Sequence, residues 1–339
     1  MLKSPKNVVT LHWALPGRRL GCPTENEESS YHNIQTQTHV ADLHTMNIEE
    51  GFMPFMGYRT YYRIVGKTQE GKCPIILLHG GPGSTHNYFE TLDSMARTGR
   101  AVISYDQLGC GLSMVEHQPE LWTPETWLNE LCALIDHLKL SHFHLFGQSW
   151  GGMLALMYLI EKKAIGVRSA ILSSTLPSSK LWADEQHRLI RYMSEEDQQA
   201  IAEAEKQNDF SSPAYARANE RFMLLHCAGQ VTEESPECLR RPKVTGTEAY
   251  LYGWGPNEYT PTGTLRDFDY TDRLKEIHTP CLITSGTDDL CTPLIAKTLC
   301  DGIPQARWEL FAGARHMPFV EQNGKYCCIL TEWLEAHDK

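Results

Sequence analysis

Residues 142–152 read HFHLFGQSWGG. The run His142–Gly147 is short, apolar and closed by glycine, which predicts a buried strand, and residues 150–162 carry a helical pattern. Between the two lies Gly147-Gln148-Ser149-Trp150-Gly151, a G-x-S-x-G sequence. A serine at such a junction sits on a sharp turn, and the flanking glycines let strand and helix pack close to it. A free seryl hydroxyl is a weak nucleophile and needs a base. Ser149 is therefore a candidate nucleophile, and its partners are to be sought elsewhere in the chain.

Outward from this junction, strands alternate with helices. Arg59–Gly66, Pro74–His79 and Ala101–Asp106 precede it as predicted strands, and Ser169–Ser174, Pro280–Gly286 and Arg307–Phe311 follow it. Helical patterns occupy about 86–98, 124–138, 294–302 and 323–337. Over 124–138, Trp127, Leu128, Leu131, Leu134, Ile135 and Leu138 recur at three- and four-residue steps, so one face is expected to pack on a sheet. The alternation predicts an α/β fold, a doubly wound and mostly parallel sheet with helices on both faces. Residues 177–265 break the pattern: they hold a charged helical run over 180–207, a second over 213–227, and a loop rich in Gly, Pro and Thr. The expected organisation is a core of 46–176 and 266–339 interrupted by a mostly helical insertion, 177–265. Residues 1–45 are polar, contain four histidines and lack periodicity, and are expected to be a disordered or loosely docked extension.

Composition narrows the function classes. The 339-residue chain carries a formal net charge of −11, which argues against a nucleic-acid or anionic-membrane surface, since both need a basic patch. No run of about 18 apolar residues occurs, so no membrane-spanning helix is expected. The apolar run Val8–Leu15 is short, contains Thr10 and His12, and ends at Pro16-Gly17-Arg18-Arg19, a poor secretory signal. The expected location is the cytoplasm. The 11 cysteines form no Cys-x-x-Cys pair and no compact framework, which predicts reduced thiols rather than disulfides or structural zinc.

The remaining chemistry is read from the ends of other strands. His79-Gly80-Gly81-Pro82-Gly83 follows a predicted strand, and glycines there let backbone N–H groups approach an oxyanion. In the α/β-hydrolase fold one such donor is the N–H after the nucleophile, here Trp150, and the other comes from this loop, with Gly81 the candidate. The partners follow in the order Ser, acid, His. After Pro280–Gly286 either Asp288 or Asp289 could serve; G-x-x-D-x-x-x-P spacing favours Asp289. His316 lies beyond Arg307–Phe311, where the base belongs. Such a set needs no metal and no organic cofactor.

H-G-G-P-G at 79–83, D-Q-L-G-C-G-L-S at 106–113, G-Q-S-W-G-G at 147–152, G-P-N-E at 255–258 and G-T-D-D-L-C-T-P at 286–293 together resemble the proline iminopeptidases, most closely the lactic-acid-bacterial type, from about residue 50 to the end. These are α/β-hydrolases that remove an N-terminal residue, preferentially proline, from short peptides. The resemblance implies that 177–265 is a helical cap over the site. It implies a triad of Ser149, Asp289 and His316, and an oxyanion hole of Gly81 and Trp150. It also implies that Glu258 binds the free amine of a small peptide substrate. Two positions depart from the pattern. Leu290 stands where some members carry a second glutamate, which leaves amine recognition to Glu258 with another acid such as Asp288, or to a weaker pocket. Leu108 stands where arginine is common. An amino acid amidase or an esterase with the same triad is the rival expectation, although an esterase would not need Glu258.

Overall fold

The computed structural model describes residues 46–339; the expected extension, 1–45, lies outside them. Eight strands form one sheet: β1 (Ile48–Phe55), β2 (Tyr58–Val65), β3 (Ile75–Leu78), β4 (Val102–Tyr105), β5 (Phe143–Gln148), β6 (Val167–Ser173), β7 (Cys281–Gly286) and β8 (Ala306–Phe311). Their spatial order is β1-β2-β4-β3-β5-β6-β7-β8. β2 runs against both of its neighbours, and every pairing from β4 through β8 is parallel. Seven of the strands lie within two residues of the expected positions. β1 is the addition. It carries Gly51, Pro54 and two glutamates and pairs only with β2, and an edge strand tolerates proline because one row of its backbone groups needs no partner.

The helices follow in order as α1 (Pro124–His137), α2 (Trp150–Glu161), α3 (Ser179–Ile190), α4 (Glu195–Gln207), α5 (Pro213–His226), α6 (Glu237–Arg240), α7 (Thr247–Gly253), α8 (Pro293–Gly302), α9 (Pro318–Glu321) and α10 (Asn323–Ala336). The chain alternation puts them on both sheet faces, and β3 displays the division residue by residue. Ile76 and Leu78 pack with Trp127, Leu131 and Leu154 of α1 and α2, whereas Ile75 and Leu77 pack with Phe89, Leu92, Leu330 and Leu334. A central strand buried on both faces reads as a continuous apolar run, which is why IILL is legible as one.

Two helical expectations resolve differently. His86–Thr98 is a run of 3₁₀ turns rather than one α-helix, and the hydroxyls of Thr91 and Thr98 donate to the carbonyls of Tyr88 and Met95 three residues back, competing for backbone acceptors. The charged run 180–207 is two helices, because Ser194 caps α4 by accepting from the Asp197 N–H. Helices α3 to α7 leave and rejoin the sheet at one place, where Ser178 and Asp269 form an antiparallel bridge and the Ser179 N–H donates to Phe268 O. The ten described cysteines carry free thiols. Among the described residues no helix is long and apolar enough to cross a membrane.

Candidate active site

Ser149 joins β5 to α2 with φ 55° and ψ −124°, a left-handed-side φ that non-glycine residues adopt rarely. Its own N–H donates to Ser173 O on β6, which fixes the turn against the sheet. Gly151 makes the junction possible: a Cβ there would stand 2.0 Å from Leu78 O. Helix α2 therefore begins directly above β3, and its first N–H groups, that of Trp150 foremost, lack intrahelical partners.

His316 follows β8 and is almost completely buried. Its Nδ1–H donates to Asp289 Oδ1 at 2.7 Å. Asp289 is held on every side: Oδ2 accepts from Ser174 Oγ at 2.6 Å and from the Gly286 N–H at 3.1 Å, and Oδ1 also accepts from the Cys291 N–H at 2.8 Å. The structure thus brings Asp289, not Asp288, against the imidazole. Asp288 is exposed, and its backbone is engaged, its N–H on Ala314 O and its carbonyl accepting from His226 Nδ1.

The loop at 79–83 is tied to the serine turn by residues without a motif of their own. Tyr88 Oη accepts from the Gly80 N–H at 2.6 Å and donates to Gln148 Oε1 at 2.9 Å. The Gln148 amide in turn donates to His316 O at 3.4 Å. Gln107 donates to His79 O and accepts from the Trp150 indole N–H at 2.7 Å. Burial pushes the His79 imidazole down to about 4, so the ring is neutral at physiological pH.

Helices α3 and α5 reach the same loops. The Trp182 ring lies 5.8 Å from that of His316, and its N–H donates to Glu258 O at 2.9 Å. The His316 N–H donates to Cys227 O just past α5, and the Leu290 N–H to His226 O. Glu258 Oε1 accepts from Tyr250 Oη at 2.8 Å. The carboxyl keeps some accessible surface yet lies deep in the protein; burial pushes it above the usual carboxylate range, with His316 and the Tyr250 hydroxyl pulling the other way. Among the described residues no lysine or arginine pairs with it. A carboxylate without a cation, near an imidazole–aspartate pair, suits a small cationic ligand.

Residues 74–322 match the family described as alpha/beta hydrolase fold. A proline iminopeptidase of Clostridioides difficile (strain 630) is 61% identical over 86% of this chain and 100% of its own length. One of Levilactobacillus brevis is 56% identical over 87% of this chain and 99% of its own. The chain belongs to the proline iminopeptidase family of α/β-hydrolases. A solved structure of a proline iminopeptidase from Mycobacterium smegmatis has a TM-score of 0.76 to it at 28% identity, covering 86% of this chain and 99% of that one.

In this member of the iminopeptidase family the two departures have defined settings. Leu290 is buried, and its carbonyl accepts from the Gln186 amide of α3 at 2.8 Å. Leu108 is a core residue whose N–H donates to the Glu130 carboxylate and whose carbonyl accepts from the Trp127 indole, so no charge enters the site at that position.

Proposed function

We propose that this chain is a serine aminopeptidase releasing N-terminal residues, preferentially proline, from short peptides through an acyl-enzyme. The observation that carries the reading is the 2.7 Å bond from His316 to Asp289, in a loop whose His316 carbonyl accepts from the side chain of Gln148, the residue before Ser149 on its strand-to-helix turn. With Nδ1–H committed to Asp289, Nε2 is the basic nitrogen. In the proposed reaction it takes the Ser149 proton as Oγ attacks the carbonyl of the substrate's first residue. The N–H groups of Gly81 and Trp150 hold the oxyanion. His316 then gives the proton to the leaving amine, while Asp289 keeps the tautomer and stabilises the imidazolium. Water releases the amino acid in a second passage through the same steps. These steps need no metal or organic cofactor.

In this reading Glu258 pairs with the free amine of a small peptide and sets which carbonyl meets Ser149. Segment 177–265 acts as a helical cap, a role supported by the bonds that join α3, and the end of α5, to the loops of Asp289 and His316. The proposed location is the cytoplasm, where peptide fragments are available.

The test is hydrolysis of proline p-nitroanilide beside the alanine and leucine anilides and an N-acylated proline anilide, with Ser149→Ala as control. Cleavage of the free-amine proline compound in preference to the others, abolished in the variant, is expected. Equal cleavage of the N-acylated compound would replace the aminopeptidase reading with an amidase or esterase using the same triad.

A further inference from the structure

The oxyanion donor proposed on the 79–83 loop is a backbone N–H, and a backbone donor is only as well aimed as its peptide plane. The Gly81 N–H shares that plane with the Gly80 carbonyl, and in a trans peptide the two point in opposite directions. The Gly80 carbonyl is pinned. It accepts from His79 Nδ1–H at 2.9 Å and from the Ser84 N–H at 3.3 Å. His79 is itself pinned, because Nε2 accepts from the Gln107 N–H at 3.0 Å. These partners dictate the tautomer: a carbonyl only accepts and a backbone amide only donates, so the proton is on Nδ1 and the lone pair on Nε2. The ring is fully buried and has no freedom to turn. Gly80 also abuts the nucleophile, since a Cβ added to it would lie 3.1 Å from Ser149 Cβ.

We propose that His79 is a positioning residue for the oxyanion hole, its Nδ1–H locking the Gly80–Gly81 peptide so that the Gly81 N–H is presented before substrate arrives. The imidazole touches neither substrate nor Ser149; it acts through one backbone plane. Preorganisation of this kind lowers the barrier because the dipole does not have to reorient as charge develops on the substrate oxygen. The lone pair on Nε2 is already committed to the Gln107 N–H, so the neighbouring Asp106 and Cys110 do not make this histidine a metal ligand.

The inference rests on Ser149 acting as an acyl-transfer nucleophile, but not on the preference for proline. The experiment therefore uses both proline p-nitroanilide and p-nitrophenyl acetate with three variants. In His79→Asn the amide N–H stands where Nδ1–H stood and still reaches Gly80 O. In His79→Gln the side-chain oxygen takes the place of Nε2 and the donor to Gly80 is lost. In His79→Leu both are lost. Folding is checked by thermal melting, and the nucleophile by fluorophosphonate labelling of Ser149. His79→Gln and His79→Leu are expected to lower kcat on both substrates on the order of tenfold to a hundredfold, with KM within about threefold, and His79→Asn to recover most of that loss. Inhibition by prolinal, whose hemiacetal oxygen occupies the hole, should weaken in parallel, while inhibition by free proline stays constant. Folded His79→Asn falling as far as His79→Leu, or losses confined to KM, would overturn the proposal. Turnover of the acetate without any of the anilide would instead overturn the aminopeptidase reading and leave this inference standing.

Discussion

The hydroxyl of Tyr88 and the side-chain amide of Gln148 are joined by a 2.9 Å hydrogen bond that links the 3₁₀ segment after β3 to the end of β5, 60 residues apart in sequence. Through it the Gly80 N–H, the residue before Ser149 and the carbonyl of His316 form one chain of contacts. Tyr88→Phe removes the hydroxyl and keeps the ring, which packs against Phe89 and Phe319. The expected result is a fall in kcat of about tenfold with little change in KM. Gln148→Met should give a similar loss, and the double variant should be no worse than the poorer single one, because groups in one network are not additive. Steady-state kinetics of the four proteins on one anilide decide it.

Glu258 gives the proposed enzyme a pH dependence of a particular sign. Burial raises its carboxyl above the ordinary range, so on acidification from neutrality it protonates before an exposed glutamate does. The charge that would hold an ammonium is then lost, and KM for a free-amine substrate should climb as the pH falls. Glu258→Gln should raise KM at pH 7 by roughly tenfold to a hundredfold, as expected for loss of a charge-assisted hydrogen bond, and flatten that climb. A variant whose KM still rises on acidification would assign the titration to another group.

A second buried acid predicts pH-dependent stability. Glu130, fully buried under the Leu108 loop, accepts from the Thr60 hydroxyl and the Leu108 N–H, and burial pushes it up from 4.5 to about 7. Between those values the folded protein holds a proton that the unfolded chain has released, so stability falls as pH rises through this window. The size is about 3 kcal/mol. Glu130→Gln keeps an acceptor for Leu108 and does not titrate. Urea unfolding at pH 5 and pH 7.5 should show the wild type losing stability relative to the variant at the higher pH.

Asp338 closes the fold at the other end of the sheet. Its carboxylate accepts from Arg100 at 2.9 and 3.2 Å, from His144 Nε2 at 3.2 Å and from the Cys73 N–H at 3.0 Å. The Arg100 side chain has no exposed surface. Asp338→Asn leaves that cation without its charge partner, and a loss of about 3–5 kcal/mol at pH 7 is expected. These bonds hold the Asp338 carboxyl at about 2 against an ordinary 3.8, so its contribution is present above pH 3.8 and fades below it. The gap between wild type and variant in denaturant midpoint should narrow only in that acid range.

The parts of this molecule legible in its sequence are those made by local pattern. The turn at Ser149 announces itself because strand, serine and helix are contiguous, and β3 does so because it is apolar throughout. Spacing also separates Asp289 from Asp288, since a fixed interval to Pro293 reflects one turn before α8. β1 is not legible, because an edge strand in which only Met53 is buried, and which carries a glycine and a proline, has no alternation to detect. Tyr88 and Gln107 are not legible for another reason. Their bonds to Gln148 and His79 span 60 and 28 residues, and no neighbouring residue foretells them. The same holds for Trp182, whose place against His316 depends on where α3 docks.

Arg100 and Asp338 are separated by 238 residues. A ribosome adding about 5–20 residues per second makes the second roughly 10–50 s after the first. Throughout that interval the nascent sheet carries a guanidinium destined for the interior without the anion that makes its burial tolerable. The central strands are synthesised early, yet at that end they lack this counter-charge until the segment after α10 is made. Closure of that end of the sheet is thereby tied to the segment that follows α10.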